Sequence, residues 1–456
     1  MKKNVIDGPI YDARELGAPR MLLLGFQHMF AMFGATVLVP ALTGLDVATA
    51  LLFAGIGTLL FHLLAKGKVP AFLGSSFAFI GGFNAIRTLS DGTVDNSLLP
   101  YACFGVLIAG LMYVVLAALV KGFGVKKVMR FFPPIVTGPI IISIGLTLSS
   151  SAINNCTGNW LVAVVAIAIV IGFNIWGKGM AKIIPILLGV VGSYIFALIV
   201  DPAEREAVVT AVSGAAWVGI PVHWERTVFG LFSSEVDTAL LLSAVFTIVP
   251  LSLATMVEHI GDICAISSTV GKNYMTDPGL HRTLLGDGLA TSLAALFGGP
   301  ANTTYGENTG VLALSKVYDP RVIRIAAVIA IIFSFCPKFA ALVSAMPTAT
   351  IGGVSLILYG MISAVGVRNV VENRVDFTNT RNVIIAALIL VLAIGISYSG
   401  NIQIGIVSLS GLAVASIVGI TLNAILPGKD YEFAQEDEGS TSVDLSGAIN
   451  MNENNE

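Results

Sequence analysis

Long apolar runs separated by short polar segments dominate the pattern of this chain. A transmembrane helix needs about 20 mainly apolar residues. Runs of this kind begin near Met21, Val47, Leu99, Phe132, Trp160, Ile183, Thr238, Ile323, Ala340, Asn382 and Ile404. Three further segments, residues 70–83, 284–297 and 305–314, are short or interrupted by glycine. The pattern predicts an all-α, polytopic membrane protein with about 14 spans.

Composition supports lipid as the main solvent. Hydrophobic residues make up 55% of the 456 residues and charged residues 12%, whereas soluble domains carry about a quarter charged residues. The net charge of −3 predicts no nucleic-acid partner. The four cysteines, Cys103, Cys156, Cys264 and Cys336, show no CxxC spacing, so we expect no metal site and no cofactor. Catalytic elbows and phosphate-binding loops are absent from the sequence, which argues against an enzyme.

The distribution of lysine and arginine predicts the orientation in the membrane. With the N-terminal segment, residues 1–20, in the cytoplasm, most basic residues fall in inward segments, as the positive-inside rule requires. An even number of spans then places the acidic tail, residues 427–456, in the cytoplasm too, and its composition predicts disorder. We therefore expect a multi-pass protein of the cytoplasmic (inner) membrane with both termini inside. Residues 208–220 are too short to span and are expected to form an outer cap or a re-entrant piece.

Two segments have the pattern of broken helices. Residues 70–77 (PAFLGSSF) open the third span and residues 300–307 (PANTTYGE) open the tenth. Each begins with Pro-Ala and contains a glycine, which permits bends. Secondary transporters often bind substrate at such pairs of broken helices, related by an inverted repeat. The sequence therefore predicts two inverted repeats of seven spans, with the site at spans 3 and 10.

Ionisable residues at membrane depth cluster in two places. Glu258 and Asp262 are four residues apart in the eighth span, so they share a helix face. Two acids so close resist ionising together, which is typical of a proton-binding site. Alternatively, Glu258 marks the cytoplasmic end of that helix. Glu307 follows the break in the tenth span, where its carboxylate and helix-start amides can face one ligand. His28, in the first span, is either a donor to this site or an interhelical hydrogen-bonder.

Five stretches carry a resemblance to a known family: residues 27–40 (QHMFAMFGATVLVP), 74–79 (GSSFAF), 277–282 (DPGLHR), 302–308 (NTTYGEN) and 352–360 (GGVSLILYG). From about residue 19 to 426, the chain resembles the nucleobase–ascorbate transporters, or nucleobase:cation symporters, and within them the bacterial uracil permeases. The resemblance implies proton-coupled uptake of a nucleobase, uracil first of all. It also implies a homodimer packed through a gate domain, in contact with membrane lipid.

The resemblance further implies a division into domains and a set of site residues. The core domain would comprise residues 21–125 and 233–336, and the gate domain residues 126–232 and 337–426. The implied substrate-binding residues are Glu258, Glu307, Phe77, Gly306, Tyr359 and Ala35. From the paired acids of the eighth span, we expect Glu258, Asp262 and His28 to couple the proton. A carboxylate accepts from ring N–H groups of a nucleobase, and nearby amides donate to its carbonyls. Phe77 either stacks on the ring or packs against lipid or the protein core.

Departures from the uracil-permease pattern keep alternatives open. Asp262 stands where those permeases have histidine and resembles xanthine and urate carriers, whereas Glu307 stands where purine carriers have glutamine. Ser315 replaces the threonine of the family signature. A xanthine or purine:proton symporter is therefore the first alternative. An anion exchanger or channel of the same inverted-repeat architecture is another, although three acids in the site disfavour it.

Overall fold

The computed structural model describes residues 8–89, 93–232, 235–404 and 407–428. Residues 1–7 of the predicted N-terminal segment and residues 429–456 of the predicted acidic tail lie outside these ranges. Helices make up most of the described chain. The prediction of an all-α, polytopic fold is confirmed, with four short strands added to it.

The first half of the chain contains ten helices and one strand among its described residues. They are α1 (Ala18–Thr43), α2 (Val47–Leu64), β1 (Leu73–Ser75), α3 (Ile80–Arg87), α4 (Leu99–Phe123), α5 (Val125–Met129), α6 (Pro134–Cys156), α7 (Trp160–Trp176), α8 (Met180–Ile183), α9 (Pro185–Val200) and α10 (Pro202–Gly214). The local sequence explains where several of these helices begin. Asp46 caps α2 by accepting from the amide of Thr49, and Pro185 and Pro202 stand at first positions, where a missing N–H costs nothing.

The second half adds ten α-helices and three strands among its described residues. They are α11 (Val228–Leu231), α12 (Thr238–Ile248), α13 (Leu251–Val270), α14 (Leu280–Leu296), β2 (Asn302–Thr304), α15 (Gly306–Ser315), α16 (Pro320–Ser334), α17 (Pro337–Ser344), α18 (Thr348–Glu372), α19 (Thr380–Ser399), β3 (Ile402–Ile404), β4 (Val407–Leu409) and α20 (Gly411–Ile425). Asp237, Asp319 and Asn379 cap α12, α16 and α19 through their side-chain oxygens.

Seven helices of the described chain are long and apolar enough to cross a membrane, or up to nine if each of two bent pairs counts as one span. This number of apolar helices is that of a multi-pass membrane protein. The full count of about 14 stays a prediction, because α3, α15 and several other helices are shorter than a membrane-spanning helix. Half-length helices are expected where non-helical segments complete a span.

Three boundaries differ from the apolar runs of the sequence. The run near Thr238 is two helices, α12 and α13, which meet at Pro250, since proline cannot donate within a helix. The run near Ala340 is also divided: α17 ends at Ser344, and α18 begins at Thr348, after Pro347. The apolar stretch 208–220 is partly α10, which turns by 114° from α9 and so does not continue that span.

Packing gathers the long helices into two groups. In one, α14 packs against α4 and α2, and α16 packs against α2 and α1. In the other, α6 packs against α18 and α19, and α7 packs against α9. The predicted boundaries of core and gate domains remain predictions. Side chains of both groups contribute to one extended buried apolar cluster, which includes Phe72 directly before β1 and Ala301 directly before β2.

Candidate functional site

The two predicted helix breaks meet in space. β1 pairs antiparallel with β2, with Leu73 opposite Thr304 and Ser75 opposite Asn302. Beyond the ladder, the amide of Ser76 donates to Ala301 O at 2.8 Å and that of Tyr305 donates to Phe72 O at 3.0 Å. Non-helical backbone can lie at membrane depth only if its polar groups are satisfied in this way. The prediction of broken spans at both segments is confirmed.

Close packing over β1 explains its glycine. A Cβ at Gly74 would lie 2.6 Å from Thr36 Oγ1 and from ring atoms of Tyr305. The hydroxyl of Tyr305 donates to Ser75 O at 2.7 Å, and Ser75 Oγ donates to Thr36 O at 3.1 Å. A larger residue at position 74 would separate α1, β1 and the start of α15. The glycine therefore permits the two broken segments to cross.

Glu258 and Asp262 lie on α13, beside β2. Glu258 is in the middle of this helix, which continues to Val270, so the alternative of a helix-end glutamate is wrong. Thr304 of β2 donates its hydroxyl proton to Asp262 Oδ2 at 2.8 Å. α13 packs against α15, the helix that carries Glu307. The two acids of α13 therefore lie on a helix that contacts α15.

A buried histidine and aspartate extend this cluster. His259 Nδ1 lies 3.1 Å from Asp287 Oδ2 of α14, and both side chains are fully buried. The same His259 nitrogen lies 3.4 Å from Thr304 Oγ1. Thr304 thus stands between Asp262 and the His259–Asp287 pair. An isolated buried charge is very costly, and a partner at this distance offsets much of that cost.

Glu307 lies in the first turn of α15, where the positive end of the helix dipole favours a carboxylate. The preceding Gly306 is exposed, and a Cβ placed there would lie 3.7 Å from Asp262 Oδ1. Glu307 also lines a cavity of about 480 Å³ between α15 and the α8 region. The lining residues are Gly179, Lys182, Ile183, Glu307, Gly310, Ala313 and Leu314. This volume is within the range of small-molecule sites.

Aromatic rings of the two helix groups meet beside the broken segments. Phe77 follows β1 and is half-buried, and its ring packs edge-on against Tyr359 of α18, with centroids 6.4 Å apart. Tyr359 and Ala35 are each 2% exposed. Ala35 belongs to α1, next to the Thr36 that contacts Ser75 and Tyr305. The implied pocket positions therefore lie on α1, α15, α18 and the β1–β2 segment.

His28 contacts α15 through Asn308. The Asn308 side-chain amide donates to His28 O at 2.9 Å and lies 3.2 Å from His28 Nδ1. His28 is fully buried. The structure thus places this histidine next to the residue that follows Glu307, in agreement with an interhelical hydrogen-bonder. Its role in proton coupling stays a prediction.

Sequence reasoning missed four neighbours of these acids: His259, Asp287, Thr304 and Asn308. For Asp287 a signal was present, because it is an acid within the apolar segment of α14, and acids in apolar helices usually have a task or a partner. Nothing in the local pattern singles out Thr304. Among the described residues, no group of three or more His, Cys, Asp or Glu side chains could hold a metal ion.

Comparison with known proteins agrees with this arrangement. A model of the Permease family matches residues 19–402. The chain is 42% identical over 441 residues to a uracil permease of Bacillus caldolyticus, covering 94% of this chain and 96% of that protein. It is 40% identical over 429 residues to a uracil permease of Bacillus subtilis (strain 168), covering 91% and 93%.

A solved structure has a similar fold. The transmembrane domain of BicA, a cyanobacterial bicarbonate transporter, superposes with a TM-score of 0.56 at 16% sequence identity, covering 91% of this chain and 99% of that domain. At this identity the likeness concerns the fold alone. The family match extends over most of the chain and includes the broken segments and all three acids of α13 and α15. The chain is thus a multi-pass membrane protein of the Permease family, the nucleobase–ascorbate transporters whose motifs its sequence carries.

Proposed function

We propose that this protein is a secondary active transporter that takes up uracil together with a proton across the cytoplasmic membrane. The observation that carries the proposal is the contact between α13, which carries Glu258 and Asp262, and α15, which carries Glu307, beside the crossing of β1 and β2. Relatives with high identity are named uracil permeases. A planar pyrimidine dione offers N–H donors to such carboxylates.

The residues around the crossing suggest roles in this process. Glu258 and Glu307 accept from the ring N–H groups, and amides near Gly306 donate to a ring carbonyl. Phe77 and Tyr359 flank the ring, with Ala35 on the side of α1. The cavity of about 480 Å³ beside Glu307 offers room for a ligand to approach that carboxylate.

Proton coupling is supported by the density of acids in the site. Glu258 and Asp262 lie one turn apart on α13, and a Cβ at Gly306, the residue before Glu307, would lie 3.7 Å from Asp262 Oδ1. Like charges at such separation favour binding of a proton. Inward movement of one proton charge gains about 2.3 kcal/mol per 100 mV. This gain is available for concentrating a neutral substrate.

The test is uptake of radiolabelled uracil by cells that lack their own uracil permease and express this chain. Uptake abolished by a protonophore and unaffected by excess xanthine is the expected result. Uptake that persists with the protonophore would contradict proton coupling. If the correctly inserted protein takes up xanthine but not uracil, the assignment of uracil as the substrate is wrong. That result would support the purine alternative that Asp262 suggests.

A further inference from the structure

A short N-terminal segment lies across the ends of the helices that carry the site carboxylates. We call residues 10–16 the N-terminal strap. The amide of Ile10 donates to Lys316 O, and the amide of Tyr318 donates to Ile10 O, both at 2.8 Å. Lys316 directly follows α15, which begins with Gly306 and Glu307. The strap is therefore hydrogen-bonded to the end of α15 through its backbone.

Tyr11 connects the strap to the other carboxylate-bearing helix. Its hydroxyl donates to Val270 O, at the last residue of α13, at 2.7 Å. The Lys272 ammonium lies 4.3 Å from the centre of the Tyr11 ring. The ring of Tyr318 lies 5.6 Å from that of Tyr11. One side chain thus contacts the end of α13 and the segment that follows α15.

The remainder of the strap is anchored to the start of α16. The amide of Ala13 donates to Asp319 Oδ2 at 2.8 Å. Arg321 Nη1 lies 2.9 Å from Asp12 Oδ1 and 3.1 Å from Asp319 Oδ2. Hydrogen bonds from Arg14 hold the pKa of Asp12 well below its usual range, so this ion pair persists in moderately acidic solution. Ile10 and Ala13 are buried with side chains of the α16 region.

The strap continues through Gly17 into α1, which carries Ala35 and His28. It therefore joins the ends of α1, α13, α15 and α16. Glu258 and Asp262 lie on α13, and Glu307 lies on α15. Because each helix moves largely as one body over this length, a link between the ends of α13 and α15 limits how far the two helices can slide past each other at the site.

We propose that the N-terminal strap is a positioning element that sets the separation of α13 and α15, with Tyr11 as its positioning residue. Through this separation it sets the affinity of the substrate site, and that part of the inference rests on the proposed function. The helix separation itself does not depend on which substrate is carried.

The first experiment measures the separation directly. Spin labels are attached through Ser268→Cys on α13 and Leu314→Cys on α15, both exposed, after Cys264→Ser and Cys336→Ser remove the accessible thiols. We expect the distance distribution to broaden in Tyr11→Ala and, to a smaller extent, in Tyr11→Phe, which removes only the hydroxyl. The matched control is Tyr101→Phe, at a position outside the strap. In the parent, the Tyr101 hydroxyl accepts from the Asp237 amide at 3.0 Å. Identical distributions in Tyr11→Ala and the parent would overturn the proposal.

The second experiment measures binding of uracil to the purified, unlabelled protein. Loss of one hydrogen bond is worth about 1 kcal/mol, so Tyr11→Phe should raise the Kd by up to about fivefold, whereas Tyr101→Phe should leave it unchanged. A broadened distance distribution with an unchanged Kd would overturn the link to affinity. If the parent binds no uracil, the proposed function fails, and the distance measurement still decides whether the strap positions the helices.

Discussion

At the scale of residues, the site is defined by polar side chains that contact one another across helices. Thr304 donates to Asp262, His259 pairs with Asp287, and Asn308 donates to His28 O. Each of these groups would be costly to bury alone, so the partners explain why the apolar helices tolerate them. Glu258 and Glu307 differ, because both are only partly buried and Glu307 lines a cavity that a ligand can enter. They are the residues at which substitution should affect binding most directly.

Replacing either carboxylate by an amide should weaken uracil binding without unfolding the protein. A hydrogen bond to a charged group is worth about 1.5–3 kcal/mol, so Glu258→Gln and Glu307→Gln should each raise the Kd at least about tenfold. Isothermal titration of the purified variants measures this. Glu206→Gln, at an exposed position of α10, is the control and should match the parent. Unchanged binding in both site variants would refute the assigned roles.

At the scale of elements, glycines determine how closely helices approach. On α18, a Cβ at Gly366 would lie 2.6 Å from Ile142 N and 2.7 Å from Gly138 O of α6. Across the same interface, a Cβ at Gly145 would lie 2.1 Å from Tyr359 O. Small residues permit such backbone contact between membrane helices. The crossing of α6 and α18 thereby fixes where Tyr359 stands relative to Phe77.

Gly366→Ala should therefore destabilise the protein, although alanine is the better helix former by about 1 kcal/mol. Gly360→Ala, on the same helix, is a matched control, because a Cβ there meets nothing within 4 Å. We expect a lower Tm in detergent for Gly366→Ala and a Tm equal to or above that of the parent for Gly360→Ala. Equal thermal stability of the two variants would mean that this interface relaxes freely.

At the scale of the whole molecule, the distribution of charge predicts the orientation in the membrane, and helix packing determines the course of the chain. Lysines and arginines concentrate in the segments assigned to the inside. The predicted orientation places Lys178 and Lys182 on the inside and α10 on the outside, and Lys182 lines the same cavity as Glu307. In this orientation the strap is at the cytoplasmic ends of the helices that it joins.

The orientation predicts which cysteines an impermeant maleimide can reach. In a background with Cys264→Ser and Cys336→Ser, the Glu206→Cys variant should be labelled in intact cells. The Lys178→Cys variant should be labelled only in inside-out vesicles, since its segment carries the inward positive charge. Both positions are exposed. The reverse pattern would place the N-terminus outside, and labelling of both variants from outside would refute the assigned topology.

The sequence by itself determined the class of this protein, because long apolar runs and the placement of basic residues are local properties that lipid selects directly. It also located the breaks at residues 70–77 and 300–307, since proline and glycine act on their own backbone. Only the tertiary structure decided that these breaks pair, that His259 meets Asp287, and that Tyr11 contacts Val270. Such contacts join residues far apart in the chain, and no local periodicity records which distant partner satisfies a buried polar group.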